Sequence, residues 1–229
     1  MKRYNIAIDG PTGSGKSTLA RNLAERLGWV YLDTGAIYRT VGLFVYRAGK
    51  DPGDARAVEA LLPQMDISIC HGAEGQRVFL GKEEVSEAIR LPEMASFASQ
   101  VAVHPGVRTF LLHTQRAFAQ EHNVVMDGRD IGTEVLPHAD LKVFLTASLE
   151  ARAKRRYKEL IERGVEISFD EVVSRIRARD ERDMGRETSP LRAAEDAVLL
   201  DTTHLDLNES IEALVELAKA RLTIGGEAI

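Results

Sequence analysis

The chain has 229 residues, with 44% hydrophobic and 28% charged side chains, which suits one well-buried core with appended pieces and excludes a disordered chain. Its 30 Lys and Arg against 35 Asp and Glu leave a formal net charge of −5, which speaks against a non-specific nucleic-acid binder, since such proteins carry a basic excess to neutralise phosphates. The single cysteine, Cys70, excludes an internal disulfide framework and a cysteine-based zinc cluster, and favours small-molecule partners in the cytosol.

The opening MKRYNIAIDG holds two positive charges and then an apolar run too short for a signal peptide or a membrane span, so a cytoplasmic chain without a membrane partner is expected. Tyr4 to Ile8 is apolar and β-prone. A glycine-rich loop follows, and then Leu19, Leu23 and Leu27 at helical spacing, so the segment reads as strand, loop, helix. Gly28 closes that helix, WVYL (Trp29 to Leu32) reads as a second strand, and Asp33-Thr34-Gly35 opens a helix through about Ala48. Asp66 to Val85 alternates around Gly72, Gly75 and Gly81, as a small antiparallel meander would. Leu91 to Val103 and Val107 to Gln120 read as helices broken by His104-Pro105-Gly106. Further strands are expected at Asn123 to Asp127, Leu141 to Leu145 and Ala197 to Asp201. From Leu149 to about Arg186 the chain reads as helical with an interruption at Gly164, and a last helix opens at Asp206, with Glu209 as capping-box partner, and runs to Leu222. The tail IGGEAI is expected to fray. The βαβ rhythm predicts an α/β fold: a five-stranded parallel sheet with helices on both faces and a meander inserted into it. In such sheets ligands sit beyond the carboxyl ends of the strands, where Asp33, Asp127 and Asp201 could share a crevice with the glycine-rich loop.

Gly10 to Ser17 fits G-x-x-x-x-G-K-[ST], a pattern that chance would place in a chain of this length with a probability of roughly 1%. Between a strand and a helix, the backbone N–H groups of Gly10, Pro11, Thr12, Gly13, Ser14, Gly15, Lys16, Ser17 and Thr18 (proline excepted) can wrap phosphate oxygens, helped by the helix N-terminus. Lys16 would reach the β- and γ-phosphates and the Ser17 hydroxyl would ligate Mg²⁺. Asp127 ends the apolar run VVMD, as a metal-holding carboxylate does, or else caps the next turn; Asp33 has a similar place and a weaker case. Arg39, on the helix of DTGAIYR, could project toward the crevice and grip a second phosphate with its planar fork. The arginine run after Leu149 is interleaved with Glu159, Glu162, Glu171, Asp180, Glu181 and Asp183, and by itself is equally a salt-bridged helix face.

Five blocks occur in one order: the phosphate loop, D-T-G-A-I-Y-R, S-Q-V-A at Ser99 to Ala102 followed by Arg108, D-G-R-D-I-G-T at Asp127 to Thr133, and R-D-E-R-D-M-G-R at Arg179 to Arg186. Together they resemble the bacterial cytidylate kinases, a branch of the nucleoside monophosphate kinases. The resemblance implies phosphoryl transfer from ATP, with Mg²⁺, to the phosphate of CMP and dCMP; nothing in the sequence suggests more than a monomer. By the same resemblance, Arg39, Arg129 and Arg186 hold the acceptor's phosphate, Arg179 and Asp183 lie at its sugar, Ser99, Arg108 and Asp130 read its base, and Thr34, which stands where a serine is usual, is a further acceptor-binding residue. Arg155 and Arg156 lie on a lid over ATP, and Lys16, Arg129, Arg155 and Arg186 carry the charge of the transferring group. The implied layout is a core at about 1–35, 105–150 and 168–225, an acceptor-binding subdomain at about 36–104 with the insertion at 66–85, and the lid at about 151–167. A related kinase with another acceptor, a nucleotide switch and a nucleic-acid-dependent ATPase are the alternatives; no guanine-reading N-K-x-D and no aromatic-basic stripe is present in the sequence to support the last two.

Overall fold

The computed structural model describes residues 2–72, 75–224 and 227–228. In chain order it runs β1 Asn5–Asp9, α1 Lys16–Leu27, β2 Val30–Asp33, α2 Thr34–Arg47, α3 Ala55–Glu59, β3 Ile67–Gly72, β4 Gly75–Leu80, β5 Glu83–Glu84, α4 Pro92–Val101 and α5 Pro105–Glu121. It continues with β6 Val124–Gly128, β7 Leu141–Thr146, α6 Leu149–Glu162, α7 Phe169–Gly185, β8 Val198–Asp201, α8 Leu207–Arg221, β9 Thr223–Ile224 and β10 Glu227–Ala228.

The main sheet has five parallel strands in the order β2-β6-β1-β7-β8, as the βαβ rhythm predicts. Successive residues of β1 supply opposite faces because side chains alternate along a strand. Ile6 and Ile8 pack with Leu19 and Leu23 of α1 and with Leu214 and Ala218 of α8, whereas Ala7 faces Ile37 and Val41 of α2 and Val107 and Leu111 of α5. Both faces are therefore covered by helices, and the strands' carboxyl ends, with their polar residues, gather at one rim.

The meander is present: β3 pairs antiparallel with β4 (Ile67 opposite Leu80) and β4 with β5, with residues 73–74 of its first turn lying outside the described residues. Val78 and Val85 seat it on Ala36 and Leu43 of α2 and Met94 of α4. Several boundaries differ from expectation for physical reasons. α5 starts at Pro105 rather than Val107, because proline at the first helical position forfeits only an N–H that has no intrahelical partner. The expected interruption at Gly164 falls after α6, where Gly164 takes φ 74°, and α7 restarts with a Ser168–Glu171 capping box. A π-helical turn at Ile131–Val135, absent from the sequence reading, follows β6. In place of the frayed tail, Thr223–Ile224 pairs antiparallel with Glu227–Ala228, while Gly225, Gly226 and Ile229 lie outside the described residues.

Candidate active site

The loop Gly10–Gly15 leaves β1 at the sheet's carboxyl rim and enters α1. A Cβ on Gly10 would collide with the Leu145 carbonyl of β7, and Gly13 and Gly15 hold φ of 76° and 90°, so only glycine fits this path without strain. Gly15 is the N-cap of α1 and Lys16 its first residue, 8% exposed, with Nζ 3.5 Å from the Pro11 carbonyl. Among the described residues no carboxylate forms an ion pair with it. Burial, reinforced by the nearby Arg129 and only partly offset by Asp127, depresses its pKa to about 7, so the loop is suited to receive a further anion.

The expected metal group is partly assembled. Asp127, 2% exposed, accepts from Ser17 Oγ and from Tyr31 OH, both at 2.8 Å, and burial together with Asp33 holds its carboxyl above the usual range. It does not cap the following turn. Asp33 instead caps α2, accepting from Ala36 N at 3.1 Å, and receives Arg39 Nη2 at 2.7 Å. A Ser17–Asp127 pair beside a phosphate loop fits Mg²⁺, which takes one or two protein oxygens and draws the rest from phosphates and water. Thr34 Oγ1 donates to the Asp127 carbonyl at 2.7 Å, which ties the ends of β2 and β6 together. Asp201 caps its own turn, accepting from Thr203 N and Oγ1, and takes no part in this pair.

Beyond Lys16 the guanidinium groups gather. Arg129 donates to Asp183 Oδ2 at 2.8 Å, to its neighbour's carbonyl at Gly128 (3.1 Å) and to Thr12 Oγ1 at 3.1 Å. Arg179 is half-buried with its Nε inside, and loss of solvation there, with repulsion from Arg129 and Arg39, lowers its pKa to about 10. Burial alone would raise the Asp183 carboxyl; Arg129 and Arg179 outweigh it and hold the group below the usual range. Arg39 Nε, Arg179 Nε and Arg186 Nη2 are buried without a hydrogen-bond partner. Next to this cluster, a cavity of about 180 Å³ is lined by Tyr38, Arg108, Gln115, Asp130, Thr188 and Ser189 among others. Arg108 donates to Asp130 through Nη2 and to the Ala102 carbonyl through Nη1 at 3.0 Å, and lies 5.6 Å from the Tyr38 ring centroid. Arg186 Nη2 stands 3.7 Å from Asp130 Oδ1. Ser99, on α4, is buried with an unpartnered hydroxyl and does not line this cavity.

The two arginines expected on a lid, Arg155 and Arg156, part company. Arg155 turns inward to the Thr202 carbonyl at 2.5 Å and the Ser14 carbonyl at 3.4 Å, whereas Arg156 pairs with Glu159 on the helix surface at 2.7 Å. Arg152, only one member of the arginine run in the sequence, has a larger structural role. Its Nη1 reaches the Thr12 carbonyl at 2.9 Å and Asp180 Oδ2 at 2.5 Å, while Thr12 N donates to Asp180 Oδ1 at 3.2 Å. Thr12 thus has its N–H, carbonyl and hydroxyl engaged by three side chains, which join α6, α7 and Arg129 to the phosphate loop. Asp9 was also missed: buried, it accepts from Ile131 N at 2.8 Å and Gly132 N at 2.7 Å, fixing the turn after Asp130 to β1, and burial lifts its pKa to about 7. Its place just before Gly10 was the available signal.

Removing Arg152 strands the Asp180 carboxylate in a site where the two side chains are 8% and 10% exposed. Such a loss costs about 3 kcal/mol, so Arg152→Ala is expected to lower Tm by roughly 6–12 °C in a thermal melt. A drop under about 2 °C would show the pair to be no anchor.

Comparison with known proteins agrees with this geometry. The cytidylate kinase family model matches residues 6–220. The chain is 48% identical over 212 residues to a cytidylate kinase of Carboxydothermus hydrogenoformans, covering 93% of this chain and 96% of that one. It is 50% identical over 211 residues to a cytidylate kinase of Caldanaerobacter subterraneus, covering 92% of each. For fold alone, a crystal structure of an uncharacterized protein from Eubacterium ventriosum superposes with a TM-score of 0.52 at 13% identity, covering 96% of this chain and 100% of that one. Near-complete coverage by relatives of this similarity, on a chain that brings a phosphate loop, a guanidinium cluster and a small polar cavity to one sheet rim, places it in the cytidylate kinase family.

Proposed function

We propose that this kinase transfers the γ-phosphoryl group of ATP, with Mg²⁺, to the phosphate of CMP and of dCMP, giving CDP or dCDP and ADP. The observation that carries the site assignment is the run of cations from Lys16 through Arg129 and Arg179 to Arg39, in which Arg39 and Arg179 keep buried donors unpartnered. Two phosphate groups brought together repel each other, and such a run offsets that repulsion at the point of transfer. The donor's phosphates occupy the loop around Lys16; Arg39, Arg129 and Arg186 hold the acceptor phosphate; Arg179 and Asp183 face its sugar; Arg108, Asp130 and Ser99 read its base. An acceptor phosphate oxygen forms the new bond to the γ-phosphorus in line with the bond to the β,γ-bridging oxygen, which breaks and leaves on ADP. No general base is needed, because the attacking oxygen is already anionic. Ser17 and Asp127, with Asp33 nearby, would hold Mg²⁺, which would supply neutralisation of the charge on the phosphates. Thr34 contributes by holding β2 and β6 in register around this group.

The same reading makes 36–104 the acceptor-binding subdomain and 151–167 a lid rooted at Arg152, with Arg155 and Arg156 moving onto ATP as it closes. Among the described residues no helix is long and apolar enough to cross a membrane, and Cys70 is a free thiol. If closure waits for both substrates, water is excluded until the acceptor is bound. ATP hydrolysis without CMP is then expected at no more than about 1% of the transfer rate, in an assay of ADP release with and without CMP. Equal rates would remove the gating and favour an ATPase.

A further inference from the structure

The inserted meander reaches the site through one side chain. Gln76, in β4, sets its amide against the outer edge of β2: Oε1 accepts from Asp33 N at 2.7 Å and Nε2 donates to the Asp33 carbonyl at 3.3 Å. β2 is the last strand on its side of the main sheet, so this amide supplies both halves of the rung that a neighbouring strand would otherwise offer. Asp33 is the residue whose own carboxylate caps α2 through Ala36 N and holds Arg39 Nη2 at 2.7 Å. Its backbone is therefore held from the insertion while its side chain aims an arginine.

We propose that Gln76 is a positioning residue for the acceptor's phosphate, acting through Asp33 on Arg39, so that the insertion sets how well the acceptor phosphate is gripped. The proposal rests on the reading of Arg39 as an acceptor-phosphate ligand. A guanidinium binds phosphate bidentately only when its plane is fixed, and among the described residues Arg39 has one anchoring ion pair, with the half-buried Asp33. Without Gln76, the end of β2 loses its outer rung, Asp33 and the first turn of α2 gain freedom, and the fork is no longer preset. Misplacement of such a group by an ångström costs binding and orientation steeply. The donor loop hangs from β1, two strands away from this edge, and Gln76 touches the backbone of Asp33 rather than its carboxylate, so ATP binding is affected far less than acceptor binding.

The test is steady-state kinetics of wild type, Gln76→Ala, Arg39→Met and the double variant, with KM measured separately for CMP and ATP. Gln76→Ala is expected to raise KM for CMP roughly 10-fold, with KM for ATP within about twofold of wild type. The double variant should be no worse than Arg39→Met alone, because the two act in one chain of contacts. Gln76→Met, which keeps the aliphatic stem and removes the amide, should reproduce Gln76→Ala and guards against a packing effect. An unchanged KM for CMP in both Gln76 variants, effects that multiply in the double variant, or equal losses for CMP and ATP would each overturn the proposal. If Arg39→Met itself leaves KM for CMP unchanged, the phosphate role of Arg39 falls and the proposal falls with it; if only the Gln76 variants are silent, the role of Arg39 stands.

Discussion

Lys16→Ala is expected to leave a folded protein and to lower kcat by a factor on the order of 10³, through lost stabilisation of charge on the transferring group. The fold should survive because Lys16 lies in neither helix-facing apolar cluster of the main sheet and its burial is a cost rather than a support. Lysine in the unfolded chain titrates at 10.5, but burial brings this one to about 7. Between those values the unfolded state binds more protons, so this group makes stability rise with pH from about 7 to about 10. Lys16→Met removes that contribution, and chemical denaturation at two pH values should show a smaller gain for the variant. Nucleotide reverses the shift, since a polyanion favours the ammonium. ATP binding near pH 8 should therefore take up a proton, measurable by calorimetry in buffers of different ionisation enthalpy, and Lys16→Met should take up less. Activity near wild type in Lys16→Ala would defeat the assignment of the loop.

What the sequence made legible were features written locally. Parallel strands buried on both faces need continuous apolar runs, and VVM and the VFL of LKVFL announce themselves that way. The loop's glycines answer to its own backbone path. What it hid were pairings between distant segments. Thr12 and Asp180 stand 168 residues apart, and the composition of the arginine-rich helices does not say which guanidinium turns inward. Arg155 and Arg156 show why: adjacent helical residues point about 100° apart, so one reaches Thr202 and the other meets Glu159 at the surface. The reading grouped both at the nucleotide, and in this structure only Arg155 touches the phosphate loop. Gln76 was invisible for a similar reason. A glutamine in an alternating strand is an ordinary surface residue until the hairpin is folded back onto β2.

The acceptor base is expected to be discriminated by polarity. Cytosine offers an amino donor at position 4 and an unprotonated ring nitrogen at position 3, whereas uracil offers an oxygen and an N–H there. Asp130 can accept from the amino group and Arg108 can donate to the ring nitrogen, and with uracil both contacts become repulsive. The ion pair between these two side chains, each 8% exposed, orients both groups before the base arrives. A buried site built on hydrogen bonds rejects such a mismatch by roughly 10² to 10⁴ in kcat/KM. CMP and, somewhat less well, dCMP should be phosphorylated, with UMP poor and AMP and GMP nearly inert, in a panel assayed at equal acceptor concentration. Asp130→Asn should narrow the gap between CMP and UMP, because the amide can turn a donor toward the uracil oxygen. The structure adds a second consequence. Asp130 also faces Arg186 at 3.7 Å, so neutralising it leaves two buried guanidinium groups without their shared anion. The variant should therefore lose kcat/KM for CMP by roughly 10² or more, in excess of any gain for UMP. Wild-type enzyme using UMP within about threefold of CMP, or an unchanged ratio in Asp130→Asn, would remove Asp130 and Arg108 from base reading while leaving the phosphate loop and its arginines in place.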